Sequence, residues 1–358
     1  MSVAPSSPVD ATNIDLQKTL QGVIDNLPAI EAHHAAVSKP TAPEHEVSSF
    51  NHKYATLNGY KYHYVEEGDP NNETLILIHG FPDLWYGWRY QIRHLVKQGY
   101  HVIAVDNLGY GETDHPRCDD GNYDPYRTKN LASNLIALAD HLNLEKAVWI
   151  GHDWGANVVL KLGLFYPERC LAVINIGVPY AQPQAEYLSP FAVAEVFPQF
   201  KYFAVFQTKE PETWFNGDGN MFSTALISSI YAHGTGTSIQ EKQYYIDRFS
   251  HTTLHGGINY YRATFLNYQD ELPYVGKPYT VPVLQVAVEK DPILTPEFWA
   301  VHKFDTLVNL EEAKIPEGGH NVHTENAEGT NKVLTEYLAK MFGKKDQQQQ
   351  EQTKVKEE

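Results

Sequence analysis

The sequence predicts an α/β fold with a mostly parallel, doubly wound sheet into which a mainly helical segment is inserted. Two observations lead to this prediction. Short apolar runs alternate with helix-like stretches between residues 74 and 178, as expected for strands that are covered on both faces. The alternation stops between residues 179 and 276, where the sequence is rich in tyrosine, and it returns with the apolar run Val281–Val288.

The predicted elements follow one another in a regular order. An Asn58-Gly59 turn joins two β-rich runs, which predicts a hairpin and an antiparallel start to the sheet. Further along, we expect strands at 74–78, 101–105, 147–150, 171–176, 281–288 and near 307–315, and helices at about 86–98, 125–141, 154–166 and 327–342. The predicted domains are an N-terminal extension (1–45), a core in two parts (46–178 and 277–342), an inserted cap (179–276) and a disordered polar tail (343–358).

The N-terminal extension contains one predicted amphipathic helix. After Thr12, a candidate helix cap, apolar residues recur at helical spacing; they are Leu16, Leu20, Val23, Ile24 and Leu27. We expect this helix to pack against the main body, because its polar side is not basic; docking to a membrane or a partner is the alternative. The glutamine-rich tail has too few apolar residues to order itself.

The composition limits the classes of function. A formal net charge of −16 argues against binding to a phosphate backbone, so no nucleic acid partner is expected. Cys118 and Cys170 lack metal-ligand spacing and favour a reducing compartment. Neither a signal peptide nor an apolar run of about 20 residues is evident. We therefore expect a soluble cytoplasmic protein without membrane insertion, metal or cofactor, whose oligomeric state stays open.

The stretch from Lys146 to Ala156 carries the strongest motif. It contains a buried strand, Gly151-His152-Asp153-Trp154-Gly155 and the start of a helix. This is the pattern of a Gly-x-Ser-x-Gly nucleophile elbow with a carboxylate at its tip, where glycines leave room for a strained turn. An aspartate there can attack carbon and become an ester, although an ordinary loop with an acidic helix cap fits the motif alone.

Three further polar groups follow predicted strands. His79-Gly80-Phe81-Pro82-Asp83 comes after strand 74–78, Glu289-Lys290-Asp291 after strand 281–288, and Gly318-Gly319-His320 after the last strand. In a doubly wound sheet these ends form the ligand site, and the order nucleophile, acid, histidine is that of α/β-hydrolases. Each motif also fits a plain turn, and Glu289 and His323 are rivals to Asp291 and His320.

With these motifs the sequence is similar to the epoxide hydrolases of the α/β-hydrolase fold family, from about Tyr54 to Phe342. The matching stretches are His79–Arg89, Gly151–Gly155, Phe165–Arg169, Glu289–Asp291 and Gly319–His320. The resemblance implies that an epoxide, a small-molecule substrate, is converted to a vicinal diol with water. It implies that Asp153 is the nucleophile, Asp291 the acid that orients the histidine, and His320 the base.

The resemblance also implies roles for the loop after strand 74–78. The backbone N–H groups of Phe81 and Trp154 would form an oxyanion hole, and the bond before Pro82 is expected to be cis. His79, Pro82 and Trp154 are expected to contribute to substrate binding. We expect hydrogen bonds from the two N–H groups to outweigh burial and keep Asp153 ionised.

Two tyrosines of the inserted segment are implied as proton donors to the epoxide oxygen. Asn259-Tyr260-Tyr261-Arg262 resembles the family segment around one of them and Phe200-Lys201-Tyr202 that around the other, which indicates Tyr261 and Tyr202. Tyr260 is the main rival to Tyr261. A phenol has a pKa of about 10 and stays protonated at neutral pH, so it can donate to the developing alkoxide.

Three other functions compete with this prediction. A haloalkane dehalogenase shares the fold and the aspartate elbow, but its halide needs N–H donors and no proton; Phe81 stands where an Asn donor is often found in that family. A non-catalytic ligand-binding protein of the same fold would not need the set of Asp153, Asp291 and His320. A serine esterase is disfavoured because no serine occupies the elbow.

Overall fold

The computed structural model describes residues 16–211, 224–228, 230 and 237–343. These residues contain an eight-stranded sheet with the strand order β1-β2-β4-β3-β5-β6-β7-β8. The strands are β1 (His52–Leu57), β2 (Tyr60–Glu67), β3 (Thr74–Ile78), β4 (His101–Val105), β5 (Ala147–His152), β6 (Cys170–Ile176), β7 (Val283–Val288) and β8 (Leu310–Ile315). Pairs β1·β2 and β2·β4 are antiparallel and the other five pairs are parallel, which confirms the predicted mostly parallel sheet.

The helices that flank the sheet form two packed pairs. Helix Arg89–Lys97 packs against helix Ala327–Phe342, and helix Thr128–His141 packs against helix Trp154–Phe165, the elbow helix. Strands β3, β4 and β5 are buried at every position, as expected from the apolar run that makes up most of each strand. This arrangement places the ends of β3, β5, β7 and β8 along one edge of the sheet.

Several boundaries differ from the predicted ones. Helix 125–141 begins at Thr128, because Pro125 forms part of a 3₁₀ turn, Asp124–Tyr126. The last strand begins at Leu310, since Leu307 makes only an isolated bridge to Tyr279. The predicted Asn58-Gly59 hairpin is confirmed by the pairing of Leu57 with Tyr60.

The inserted segment, residues 179–276 between β6 and β7, is mainly helical where it is described. Its helices are Pro190–Val196, Lys201–Val205, 224–228, Ile239–Thr252, His255–Arg262 and Thr264–Glu271. Shorter helices in the second part of the core are Pro296–Ala300 and Val322–Glu325. No helix among the residues that the structure describes is long and apolar enough to cross a membrane.

The N-terminal helix, Leu16–Val37, is longer than the pattern predicted and packs against the inserted segment. The Nε2 atom of His34 donates to the Thr237 carbonyl oxygen at 2.7 Å, and the Glu31 carboxylate accepts from Ser228 Oγ at 3.1 Å and from Lys242 Nζ. These contacts are with the inserted segment, and packing of the helix against the main body stays a prediction. The candidate cap Thr12 and the tail beyond Gly343 lie outside the described residues.

A buried ion pair joins the core to the inserted segment. Arg89 Nε donates to Glu241 Oε1 at 2.8 Å, and the two side chains are only 1% and 3% exposed. Glu241 is also the third residue of helix Ile239–Thr252, and its carboxylate accepts the Ser238 N–H in a capping box. One carboxylate thus fixes the start of this helix and holds it to the core.

Glu241→Gln keeps the shape and a hydrogen-bond acceptor but leaves the buried Arg89 charge uncompensated. Because breaking a buried pair from one side is costly, we expect the free energy of unfolding to fall by about 3 kcal/mol or more. Glu336→Gln is the matched control, since Glu336 pairs with Lys332 at 4.0 Å with both side chains mostly exposed; this change should stay within about 0.5 kcal/mol. Urea denaturation of both variants checks this, and equal losses would contradict it.

Candidate active site

The turn after β5 places Asp153 in strained backbone geometry. Asp153 has φ 50° and ψ −122°, a conformation that L-residues rarely adopt. A Cβ on Gly155 would overlap the Ile78 carbonyl, and a Cβ on Gly151 would overlap the Gly155 carbonyl, so both positions need glycine. The steric argument from the sequence is confirmed, and the carboxylate is held at the tip of a sharp elbow.

The Asp153 carboxylate has two polar neighbours from other loops. Its Oδ1 accepts the Phe81 N–H at 2.8 Å, and its Oδ2 lies 3.4 Å from His320 Nε2. The peptide bond between Phe81 and Pro82 is cis, as predicted. Within the described residues, the Trp154 N–H makes no hydrogen bond to this carboxylate. Of the two expected N–H donors, only that of Phe81 therefore bonds Asp153 there.

His320 is oriented from its other ring nitrogen. Its Nδ1 donates to Asp291 Oδ2 at 2.8 Å, while Asp291 Oδ1 accepts the N–H groups of Ile293 and Leu294 at 2.8 and 3.0 Å. The N–H groups of its own turn hold the Asp291 carboxylate in place, and the carboxylate therefore fixes the orientation of the His320 ring. His320 Nε2 is thereby directed at Asp153.

The two rival residues lie elsewhere. Glu289 is exposed at the end of β7, with Lys314 3.6 Å away. His323 is fully buried, and its Nε2 donates to Asp83 Oδ2 at 2.9 Å. The structure therefore brings Asp291 and His320 to Asp153 and leaves both rivals apart.

The three side chains form a coupled set of charges. Burial opposes a charge on His320, but the Asp291 and Asp153 carboxylates outweigh it and raise the pKa of His320 well above its usual value. Burial likewise opposes a charge on Asp153, and the hydrogen bond and charge of His320 lower its pKa overall. Asp153 is thus ionised, as expected, mainly because of His320 rather than two N–H groups.

The structure separates the tyrosines. The Tyr260 hydroxyl donates its hydrogen bond to the Leu108 carbonyl oxygen at 2.9 Å, so it does not donate to a group at the elbow. The Tyr261 ring lies edge-on to Trp154, with centroids 4.9 Å apart, and its centroid is 5.8 Å from that of Tyr202. Tyr202 and Tyr261 are therefore neighbours above the elbow, and Tyr260 points into the core.

Both neighbouring phenols are protonated at neutral pH. Burial raises the pKa of Tyr202 well above its usual value, and the Asp153 charge adds to this effect. Burial also raises the pKa of Tyr261, with further contributions from Tyr202 and Asp153. Two O–H donors thus lie close enough to the Asp153 carboxylate for its charge to raise their pKa values.

A cavity of about 200 Å³ opens beside Asp153 and is mostly apolar. Trp154 and Tyr202 line it, together with apolar side chains that include Val193, Phe200, Phe203, Leu294 and Phe298. His79 and Pro82 do not line it. His79 Nδ1 donates to the Gly80 carbonyl oxygen at 2.8 Å and its Nε2 accepts the Asn107 N–H at 3.0 Å, so this ring holds the loop from inside.

Two polar residues of the elbow helix that line the cavity were missed in the sequence. Asn157 and Lys161 line the cavity one and two turns after the nucleophile on the elbow helix. Their spacing from Asp153, four and eight residues, places them on the same helix face. This spacing was the available signal.

One buried group within the described residues has metal-ligand chemistry. It comprises Asp83, His152 and His323, whose candidate ligand atoms lie within 4.8 Å of one another. Burial, with the neighbouring histidines, lowers the pKa of His152 to about 3, so its ring is neutral and its Nε2 donates to the His320 carbonyl oxygen at 2.7 Å. With the Asp83–His323 bond, we interpret the group as a hydrogen-bonded support for the His320 loop.

Comparisons with known proteins agree with this geometry. The model of the alpha/beta hydrolase fold family matches residues 73–327. The chain is 31% identical over 314 residues to bifunctional epoxide hydrolase 2 of Mus musculus. The aligned region covers 80% of this chain and 55% of the mouse protein. It thus spans about half the length of that bifunctional relative.

Two other comparisons cover nearly whole proteins. Epoxide hydrolase A of Mycobacterium tuberculosis is 31% identical over 313 residues, which are 78% of this chain and 95% of the bacterial protein. The crystal structure of epoxide hydrolase VrEH1 from Vigna radiata superposes with a TM-score of 0.74 at 28% identity, covering 82% of this chain and 99% of that one. The chain therefore belongs to the α/β-hydrolase fold family and, within it, to the epoxide hydrolases.

Proposed function

We propose that the protein converts epoxides to vicinal diols through a covalent ester on Asp153. The observation that carries the proposal is the placement of two protonated phenols, Tyr202 and Tyr261, beside an ionised carboxylate at a strained elbow. Opening an epoxide needs a nucleophile on one side of the ring and a proton donor on the other. The inserted segment, 179–276, would serve as the cap that supplies the donors.

In the first half of the reaction, Asp153 Oδ2 attacks a ring carbon and the carbon–oxygen bond of the epoxide breaks. Tyr202 and Tyr261 hydrogen-bond the ring oxygen and supply the proton that converts the developing alkoxide to a hydroxyl. The Phe81 N–H holds Oδ1, so we assign the attack to Oδ2, the oxygen that lies 3.4 Å from His320 Nε2. The product of this step is a hydroxyalkyl ester of Asp153.

In the second half, water hydrolyses the ester. Esterification removes the Asp153 charge, which is one of the two charges that raise the pKa of His320, so the imidazolium releases its proton more easily. We propose that this proton restores the phenol that gave up its own proton in the first half, which leaves His320 neutral. Neutral His320 then takes a proton from water, and Asp291 stabilises the imidazolium that results. The water oxygen bonds to the carbonyl carbon of the ester, the oxyanion forms at Oδ1 against the Phe81 N–H, and we propose that the Trp154 N–H joins it there. The intermediate then collapses: the bond between the carbonyl carbon and the alkyl oxygen breaks, the alkoxide takes the proton of the new carboxyl group, and the diol leaves with Asp153 again a carboxylate beside protonated His320.

The alternative with the same nucleophile is a haloalkane dehalogenase. Its leaving group accepts hydrogen bonds and no proton, and the indole of Trp154 lies in the cavity where it could serve such a group. The paired phenols and the apolar Phe81 favour an epoxide over a halide. A non-catalytic binding protein would have no need of the strained elbow or of the His320–Asp291 hydrogen bond.

We further propose that substrate and water are the only partners the reaction needs, and that the protein works in the cytoplasm without nucleic acid. The net charge of −16 supports the absence of a nucleic acid partner. Cys118 and Cys170 are both unpaired buried thiols, which suits a reducing compartment.

Incubation with styrene oxide and with a primary bromoalkane separates the two enzymatic functions. We expect diol from styrene oxide and no bromide release above background. Asp153→Ala removes the nucleophile, and diol formation should fall by about 10,000-fold or more. Bromide release without diol would overturn the proposal, and activity that survives in the variant would overturn the assignment of the nucleophile.

His320→Gln should trap the reaction after its first half. The variant keeps the Asp153 carboxylate and both phenols but lacks the base for hydrolysis, so the ester should accumulate when a reactive epoxide is added. Intact-protein mass spectrometry should show a gain equal to the mass of the epoxide, and the double variant with Asp153→Ala should show none. A variant that turns over without an adduct would contradict the assigned role of His320.

A further inference from the structure

One wall of the cavity is polar, although the rest is mainly aromatic and aliphatic. The wall consists of Asp153, Asn157 and Lys161, which follow one another at intervals of four residues along the start of the elbow helix. Residues at this spacing stack on one helix face. A substrate that reaches Asp153 therefore lies along a stripe that contains an amide and an ammonium group.

Lys161 and Asn157, the two polar groups beyond the nucleophile, differ in their hydrogen-bond partners. Lys161 Nζ donates to the Ala181 carbonyl oxygen at 2.8 Å and to Glu271 Oε2 at 2.7 Å, so its charge is compensated by protein. The Asn157 backbone N–H donates to the Asp153 carbonyl oxygen at 3.2 Å, but its side-chain amide bonds no protein group in the described part of the chain. The amide is half-buried and faces the cavity with its donors available.

The direction of the amide follows from helix geometry. Four residues of α-helix rise about 6 Å, and helical side chains lean towards the N-terminus of the helix, where Asp153 lies. The Asn157 amide thus stands between its own turn and the carboxylate. For a ring carbon in contact with Asp153 Oδ2, we expect the substituent on the epoxide to pass the amide within its first few bonds.

We propose that Asn157 is a specificity-determining residue that hydrogen-bonds an ether, hydroxyl or carbonyl oxygen two or three bonds from the epoxide ring. The inference rests on the proposed function and names the substrate class of the same site: epoxides with an oxygen-bearing substituent on an otherwise apolar chain. In a mainly apolar cavity a few placed polar groups fix the orientation of a ligand. An alkyl epoxide leaves the Asn157 amide without a partner. The site should therefore favour the oxygen-bearing epoxide over the alkyl epoxide.

The test uses two substrates of nearly equal shape, butyloxirane and ethyl glycidyl ether, which differ by an ether oxygen in place of a methylene group. The measured quantity is the ratio of kcat/KM for the ether to kcat/KM for the alkyl epoxide. Asn157→Leu keeps the side-chain volume and removes the amide. We expect the ratio to fall about tenfold, the effect of one lost hydrogen bond.

Asn157→Ser separates hydrogen bonding from shape. It keeps a donor in a smaller side chain, so the ratio should stay closer to that of the unchanged protein than the ratio of Asn157→Leu does. A ratio in Asn157→Leu within twofold of the unchanged protein, or equal falls in both variants, would overturn the inference. Equal thermal melting temperatures of the three proteins confirm that folding is not the cause.

Failure of the inference and failure of the proposed function are distinguishable in the same experiment. If the unchanged protein forms diol from both epoxides but the ratio does not respond to Asn157→Leu, only the role of Asn157 is wrong. If the unchanged protein forms diol from neither epoxide, the proposed function fails and the inference falls with it.

Discussion

The electrostatic coupling of Asp153 with His320, whose charged atoms lie 3.4 Å apart, is the interaction on which the proposed chemistry depends. In the free protein each group stabilises the charged form of the other, so the nucleophile is ionised and the imidazole is protonated. A base that holds a proton cannot activate water. Because esterification removes the carboxylate charge, the first half of the reaction prepares the base for the second half.

The fold supplies the positions that this coupling requires. Asp153, Asp291 and His320 follow β5, β7 and β8, which reach the same edge of the sheet. The phenols come from the inserted segment, so their position depends on how that segment is held to the core. The buried Arg89–Glu241 pair contributes to that hold.

Much of this arrangement could be predicted from the sequence, because the order of the strands and motifs along the chain indicates which residues meet at the edge of the sheet. The apolar runs predict the parallel sheet, and the glycines around Asp153 predict the elbow on steric grounds. The choice of His320 over His323 depends on a tertiary contact, since both histidines follow the same strand. The protonation of His320 and the placement of His79 inside its loop depend on distances between loops, which no local pattern encodes.

The coupling can be measured directly in the titration of His320 by NMR. Asp153→Asn gives a neutral side chain of the same shape, and it stands in for the ester in the free protein. We predict a His320 pKa clearly above 6.5 in the unchanged protein and a fall of about one unit or more in the variant, because an adjacent negative charge is lost. The same pKa in both proteins would contradict it.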